Sequence, residues 1–310
     1  MSLPRVVADL PVAQSVHDSL GGRVELVPWS YRGPADALYT YGHPRVDGAL
    51  LDALPGLRVV SNFGVGVDHI DLKAAAARGI PVGNTPGILD GATADLAFAL
   101  LLAAGRRVVE GDRYARGPNF TVYDPSFMIG REVHSSTLGI FGMGRIGRQV
   151  AQRARGFDMT VLYHNRTRDE AAETALGASY VTKEQLLRAA DYIVLTVPLT
   201  PETRGLIGAA ELAQMKSTAV LVNAARGAVV DKDALTDALR ANRIFAAALD
   251  VTDPEPLPRD HPLLALNNVI VTPHLGSASA ETRQRMADMA AANLFAGLEG
   301  KALPHPVGAG

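Results

Sequence analysis

Residues 138–147 read LGIFGMGRIG: an apolar run, then glycines at 142, 144 and 147 in the order G-x-G-x-x-G, leading into the helix-forming stretch RIGRQVAQRARG over 145–156. Alone the pattern is weak, but between a predicted strand and a predicted helix it has the context its mechanism requires. Gly142 permits the tight turn, Gly144 lets the backbone approach a pyrophosphate, and Gly147 lets the helix pack on the strand. Unpaired N–H groups and the helix dipole then attract the phosphates.

Outward from this stretch, apolar runs of strand length alternate with helical segments. Before it come RVVADL, VELVPW, DALYTY, LRVVSNF and IPVGNT, separated by helical stretches such as DGALLDALPG and DLKAAAARG. From TLGIFG onward come MTVLYHN, DYIVLTV, AVLVNA, IFAAALD and NVIVTP. Six strands are the number of a doubly wound dinucleotide fold. Alternation of this kind predicts parallel sheets with crossover helices. The fold class expected is α/β, with two doubly wound parallel-sheet domains, a flavodoxin-like one and a Rossmann one. TADLAFALLLAAGRRVVEGDRYARG, residues 93–117, is expected as one long helical segment before a loop-like stretch. Thr182 with Gln185 looks like a capping box, Pro201 suits a first helical turn, and a last amphipathic helix is expected from about Ser279 to Leu298, closed by Gly300.

Bulk composition narrows the function classes. The 310 residues are enough for two cores, and 47% hydrophobic with 20% charged residues is a globular balance. A net charge of −2 gives no long-range attraction to nucleic acid or anionic lipid. With no cysteine, disulfides, thiolate catalysis and sulfur-ligated metals are excluded. The start of the chain does not read as a signal peptide, and Leu96–Ala104 is too short for a membrane span, so a cytoplasmic location is expected. His17, His43, His69, His134, His164, His261 and His305 show no metal-ligand spacing, and no metal is expected.

About twenty residues beyond the glycines, a dinucleotide site places a carboxylate that holds the ribose 2′-hydroxyl. Here residues 161–168 read VLYHNRTR, with Asn165, Arg166 and Arg168 instead. Asn165 cannot repel a 2′-phosphate, and the two guanidinium groups can pair with one. A preference for NADPH over NADH is therefore expected; the competing reading makes both arginines solvated loop charges.

Three polar residues stand beyond the carboxyl ends of predicted strands, where this fold meets its ligand. They are Arg226 after AVLVNAA, Glu255 in LDVTDPEP and His274 after NVIVTP. Beside a nicotinamide, that set suggests hydride transfer at a carbon next to a carboxylate. Arg226 would hold the carboxylate with its planar fork. His274 would exchange a proton with the carbonyl oxygen, and Glu255 would orient the imidazole and favour its protonated form. Singly, each residue is as readily structural: a histidine after a strand, an arginine bonding carbonyls, an acid in a turn.

The chain resembles the D-isomer-specific 2-hydroxyacid dehydrogenase family, and more closely its glyoxylate/hydroxypyruvate reductase branch. The resemblance runs from LLDALPGLRVVSNFGVGVDHIDLKAAAARGIPVGNTPG through LGIFGMGRIG, TVPLTPETRGLIG, LVNAARGAVVDKDAL and LDVTDPEP to VTPHLGSAS. It implies that Arg226, Glu255 and His274 occupy the catalytic positions. It also implies that the FGVGVD loop meets the substrate carboxylate through amides around Val65 and Gly66, an anion nest. Arg145, Ile146, Val197, Pro198, Ala224, Asp250 and Gly276 match cofactor-contacting positions. The resemblance further implies a discontinuous substrate domain, residues 1–99 with 286–310, and a cofactor domain, 100–285. A cleft would lie between them, and a homodimer would be built around residues 100–140. The implied reaction is transfer of a hydride between NADPH, or NADH, and a small 2-keto acid to give the D-2-hydroxy acid.

Departures bear on the details. Thr252 replaces a common aromatic residue, Glu255 argues against formate dehydrogenase, and no regulatory domain is expected after the last helix. A cofactor-sensing binding protein on the same scaffold, or a dehydrogenase for a bulkier or phosphorylated acid, are the alternatives.

Overall fold

The computed structural model describes residues 2–9 and 11–308, and the chain divides into two compact units, Met1–Leu89 with Ala278–Gly310, and Asp90–Ser277. The first unit is built on five parallel strands: β1 (Arg5–Ala8), β2 (Glu25–Pro28), β3 (Ala37–Thr40), β4 (Val59–Asn62) and β5 (Val82–Gly83), in the order β2-β1-β3-β4-β5. Val7, Leu38 and Val60, all fully buried, line one face of its core. Leu10, the last residue of the RVVADL run, lies outside the described residues.

The helix Ala280–Leu298 completes this unit from the far end of the chain. Ser61 Oγ donates to the Ala290 carbonyl at 2.8 Å, and a Cβ on Gly297 would lie 2.4 Å from Val59 Cβ, so helix and strand are in direct contact. Beyond the helix the chain adds an antiparallel bridge between Pro306 and Gly83 of β5.

The second unit has seven parallel strands: β6 (Thr137–Phe141), β7 (Thr160–His164), β8 (Ala178–Tyr180), β9 (Tyr192–Leu195), β10 (Val220–Asn223), β11 (Ala246–Leu249) and β12 (Val269–Val271), in the order β12-β11-β10-β9-β6-β7-β8. Successive residues feed opposite layers: Ile140, Val194 and Val222 enter one core, Phe141, Leu195 and Leu221 the other. Both faces are covered, so these strands read as unbroken apolar runs. Each such side chain contributes roughly 1.5–3 kcal/mol by leaving water.

Four expectations are corrected. The cofactor unit has seven strands, not six; β8 is three residues long, too short to show a period. Residues 93–117 are not one helix: Asp90–Gly105 and Val108–Ala115 are separate, because Arg107 takes the left-handed conformation at φ 53° and breaks the ladder. Pro201 opens a run of turns instead of a helix. The units divide at 89/90 and 277/278 instead of 99/100 and 285/286. The latter divisions would cut two helices, the first of which buries Ala94, Ala97, Phe98 and Leu101 in the second unit's core.

Other local signals form as expected. Thr182 and Gln185 make a capping box, with Gln185 N donating to Thr182 Oγ1 at 3.2 Å and Thr182 N to Gln185 Oε1 at 2.9 Å. Leu96–Ala104 lies within the helix Asp90–Gly105, and among the described residues no helix is long and apolar enough to cross a membrane.

Candidate active site

The glycine fingerprint leaves β6 and enters the helix Arg145–Ala154. Gly142 sits at φ +99°, and a Cβ there would press on the Thr196–Val197 peptide at 2.9 Å. A Cβ on Gly147 would be 2.1 Å from the Gly142 carbonyl oxygen, so the helix can lie this close only without a side chain. At Gly144 a Cβ would meet nothing within 4 Å. Open space there, in front of a helix that begins at Arg145 with no side-chain cap, is where a pyrophosphate can come against the backbone. These residues fit a dinucleotide.

The flanking residues hold this turn in place. Asn165, just past β7, accepts from Met143 N at 2.7 Å through its Oδ1. Thr196, just past β9, donates its hydroxyl to the Gly142 carbonyl at 2.7 Å. Val197 and Pro198 follow directly, and Thr203 Oγ1 donates to the Pro198 carbonyl at 2.6 Å. Ala224 lies past β10, its N–H donating to Leu195 O at 3.2 Å. Ile146 packs against the core, whereas Arg145 is exposed. Burial raises the carboxyl of Asp90 above its usual range, and the charge of Arg145 opposes that shift.

The two arginines after β7 are placed differently. Arg166 is exposed and makes no hydrogen bond among the described residues, though its charge adds to the Thr200 hydrogen bond in holding the Glu202 carboxyl below its usual range. Arg168 closes its fork on Glu173, Nε to Oε1 at 2.8 Å and Nη2 to Oε2 at 2.8 Å. Tyr163 donates its hydroxyl to the same Oε1 at 2.8 Å and accepts from Asp169 N at 2.8 Å. The bond from Arg168 is the main reason that Glu173 titrates at about 2.

Arg226, Glu255 and His274 follow β10, β11 and β12, three neighbours at one edge of the sheet. His274 Nδ1 and Glu255 Oε1 are 2.8 Å apart, with both side chains partly exposed, so the acid engages one ring nitrogen and thereby sets the orientation of the imidazole. His274 itself is left-handed at φ +56°. The turn that carries it is tied to Asp250, which is 2% exposed. Asp250 Oδ1 accepts from Thr272 Oγ1 and Leu275 N, each at 2.7 Å, Oδ2 accepts from Gly276 N at 2.8 Å, and the Asp250 carbonyl accepts from His274 N at 2.9 Å.

On β10 the buried Asn223 accepts from Ala225 N at 3.0 Å and donates to the Arg226 carbonyl at 2.9 Å, which shapes the turn presenting Arg226. Gly227 packs so tightly that a Cβ would sit 2.0 Å from the Thr252 carbonyl carbon, bringing the Arg226 turn against the loop that leads to Glu255.

In the first unit, Val65 and Gly66 lie on the loop after β4. Asn62 Nδ2 donates to the carbonyls of Gly64 and Gly66 at 2.9 and 3.0 Å, and Asn84 Nδ2 donates to that of Val65 at 2.9 Å. With the carbonyls drawn inward, neither the Val65 nor the Gly66 amide donates to a protein acceptor among the described residues. Two such amides suit a carboxylate.

Sequence reading missed Asn62, Asn84, Thr196, Asn223, Gly227 and Thr272. All but Gly227 are polar residues at or just past the end of an apolar run, which is a legible signal: a buried strand that ends on a side-chain amide or hydroxyl is held to the next loop. Gly227 carries no such signal, since its constraint comes from the packing of a loop distant in sequence.

The family model for "D-isomer specific 2-hydroxyacid dehydrogenase, NAD binding domain" matches residues 98–276. A glyoxylate reductase of Korarchaeum cryptofilum is 51% identical over 273 residues, 88% of this chain and 82% of that protein. Among solved structures, a protein of Thermus thermophilus superposes with a TM-score of 0.90 at 45% identity, covering 98% of this chain and 100% of that one. An NADPH-dependent glyoxylate/hydroxypyruvate reductase of Sinorhizobium meliloti, solved with NADP and malonate, gives 0.88 at 33% identity, covering 99% and 97%. With a nicotinamide-dinucleotide fold and an acid-backed histidine on the same sheet, the chain belongs to the D-isomer-specific 2-hydroxyacid dehydrogenase family, on its glyoxylate reductase branch.

Proposed function

We propose that this protein reduces a small 2-keto acid of the glyoxylate or hydroxypyruvate type to the D-2-hydroxy acid, with NADPH preferred over NADH. The reading is carried by the 2.8 Å contact between His274 Nδ1 and Glu255 at the end of β12, in the unit that bears the glycine cradle. When bound, the reduced nicotinamide supplies the hydride. The chain's own residues supply the rest. Gly142, Gly144, Arg145, Ile146 and Gly147 cradle the pyrophosphate, while Val197, Pro198, Ala224, Asp250 and Gly276 border the rest of the cofactor.

Arg226 holds the substrate carboxylate and polarises the adjacent carbonyl; its planar fork suits both oxygens. His274, with Nδ1 donating to Glu255, delivers a proton from Nε2 to the carbonyl oxygen. Glu255 fixes the ring and balances the imidazolium charge. In the first unit, the amides of Val65 and Gly66 are proposed as carboxylate ligands.

The preference for NADPH rests on there being no acid at 165, 166 or 168, where one would repel a 2′-phosphate, and on the exposed guanidinium of Arg166; Arg168 is held by Glu173. The NADPH-dependent Sinorhizobium meliloti relative supports it. A homodimer is proposed as well, because Phe120, Val122, Tyr123, Phe127 and Ile129 are exposed within one short stretch, Tyr123 by 79%.

The test is a panel of keto acids assayed with both cofactors. Arg226→Ala and His274→Ala should each lower turnover by roughly 10²-fold or more. Full activity in both variants would refute these roles, and equal kcat/KM for NADPH and NADH would refute the cofactor preference.

A further inference from the structure

We infer that Glu173 is a specificity-determining residue for the cofactor: by holding both donors of the Arg168 fork it withholds that arginine from the adenosine 2′-position and leaves Arg166 to be presented there. The inference rests on the proposed reading of the 2′-phosphate by the loop after β7.

Three observations support it. The Arg168–Glu173 pair is fork-to-fork, two bonds of 2.8 Å, the geometry in which a guanidinium is held most firmly. Glu173 is fixed from a second side by the hydroxyl of Tyr163, itself fully buried, so the acid cannot follow Arg168 outward. The Glu173 side chain is only 16% exposed whereas that of Arg168 is 56% exposed, so the acid is the anchored partner and the arginine the one reaching to it. With a pKa of about 2, Glu173 remains ionised across the working range of an enzyme assay.

To reach a phosphate, Arg168 would exchange two charge-assisted bonds for two of the same class, with little net gain. Arg166, which has no hydrogen bond to give up among the described residues, carries the discrimination. Glu173 thereby sets an upper limit on the preference for NADPH, and it does so from a helix the cofactor need not touch.

The experiment is a double-mutant cycle on the ratio of kcat/KM for NADPH to that for NADH, with melting temperature confirming the fold of each variant. Arg168→Gln alone should change the ratio by less than about twofold, because the side chain is already engaged. Glu173→Gln should raise it roughly two- to fivefold, the scale of one exposed charged contact. In Glu173→Gln/Arg168→Gln the gain should vanish. A gain that persists without Arg168, no gain at all, or a large fall in Arg168→Gln alone overturns the inference. Arg166→Gln separates the two levels. If it leaves the ratio unchanged, the loop does not read the phosphate and the underlying proposal fails; if it lowers the ratio while Glu173→Gln does nothing, only the role of Glu173 fails.

Discussion

Replacing Asp250 by asparagine tests how His274 is held. The carboxylate accepts three hydrogen bonds inside a site that is 2% exposed. In the amide, one oxygen becomes a donor. Placed toward Gly276 N, it loses that bond and sets two donors face to face; placed toward Leu275 N and Thr272 Oγ1, it loses the Leu275 bond, while the Thr272 hydroxyl can turn and accept. Either arrangement leaves one buried backbone N–H without its acceptor, which costs about 1–3 kcal/mol. For a unit of this size each kcal/mol lowers the melting temperature by about 2–4 °C, so a fall of about 2–12 °C is expected by calorimetry. Because the same bonds hold His274 at φ +56°, turnover should fall further than stability alone explains, by roughly tenfold or more at saturating substrate. Thr272→Val, which removes one bond and leaves the charge, should show a smaller effect of the same sign. A melting temperature within about 1 °C of the parent, with kcat unchanged, would refute the view that Asp250 builds this turn.

Gly144→Ala should fold normally, since its Cβ enters open space, yet raise the cofactor KM by roughly tenfold, whereas Gly147→Ala should lower the melting temperature by several degrees because its Cβ falls 2.1 Å from a carbonyl oxygen; calorimetry beside cofactor titration tells these apart. Gly227→Ala forces the Arg226 turn away from Thr252 and should reduce kcat/KM roughly 10²-fold, measured at both cofactors. Glu173 has its folded pKa depressed from 4.5 to about 2, so its ion pair stabilises the protein above pH 4.5 and that stabilisation is lost as pH falls toward 2; Glu173→Gln should melt below the parent at neutral pH and converge with it at the acid end of this range.

Much of the fold was legible because both sheets are buried on two sides. Strands such as VLV over 220–222 then have no choice but to be unbroken apolar runs, and the glycine spacing between β6 and its helix marks the strand-to-helix turn at which the second unit can meet a dinucleotide. What could not be read was set by contacts distant in sequence. β8 exists because Val161–Tyr163 offers it a partner, not because ASY prefers a strand. The helix beginning at Asp90 belongs to the second unit because its buried face enters the core that also holds Val150 and Val222, which no local pattern reveals. At the candidate site, residue types singled out Arg226, Glu255 and His274 as candidates, but not what holds them. The equivalence of Arg166 and Arg168 in sequence dissolves in space, where Glu173, on the helix that follows, has claimed one of them.

The first unit draws on both ends of the chain. Its sheet opens at Arg5, yet β4 is covered by the helix Ala280–Leu298 and β5 is bridged by Pro306. During synthesis the early strands therefore emerge long before their cover, while residues 90–277 form an uninterrupted stretch that can condense on its own. The half that emerges first from the ribosome is the half that must wait, and a nascent chain stalled before residue 280 would expose the apolar surface around Val59 to chaperones or to its neighbours.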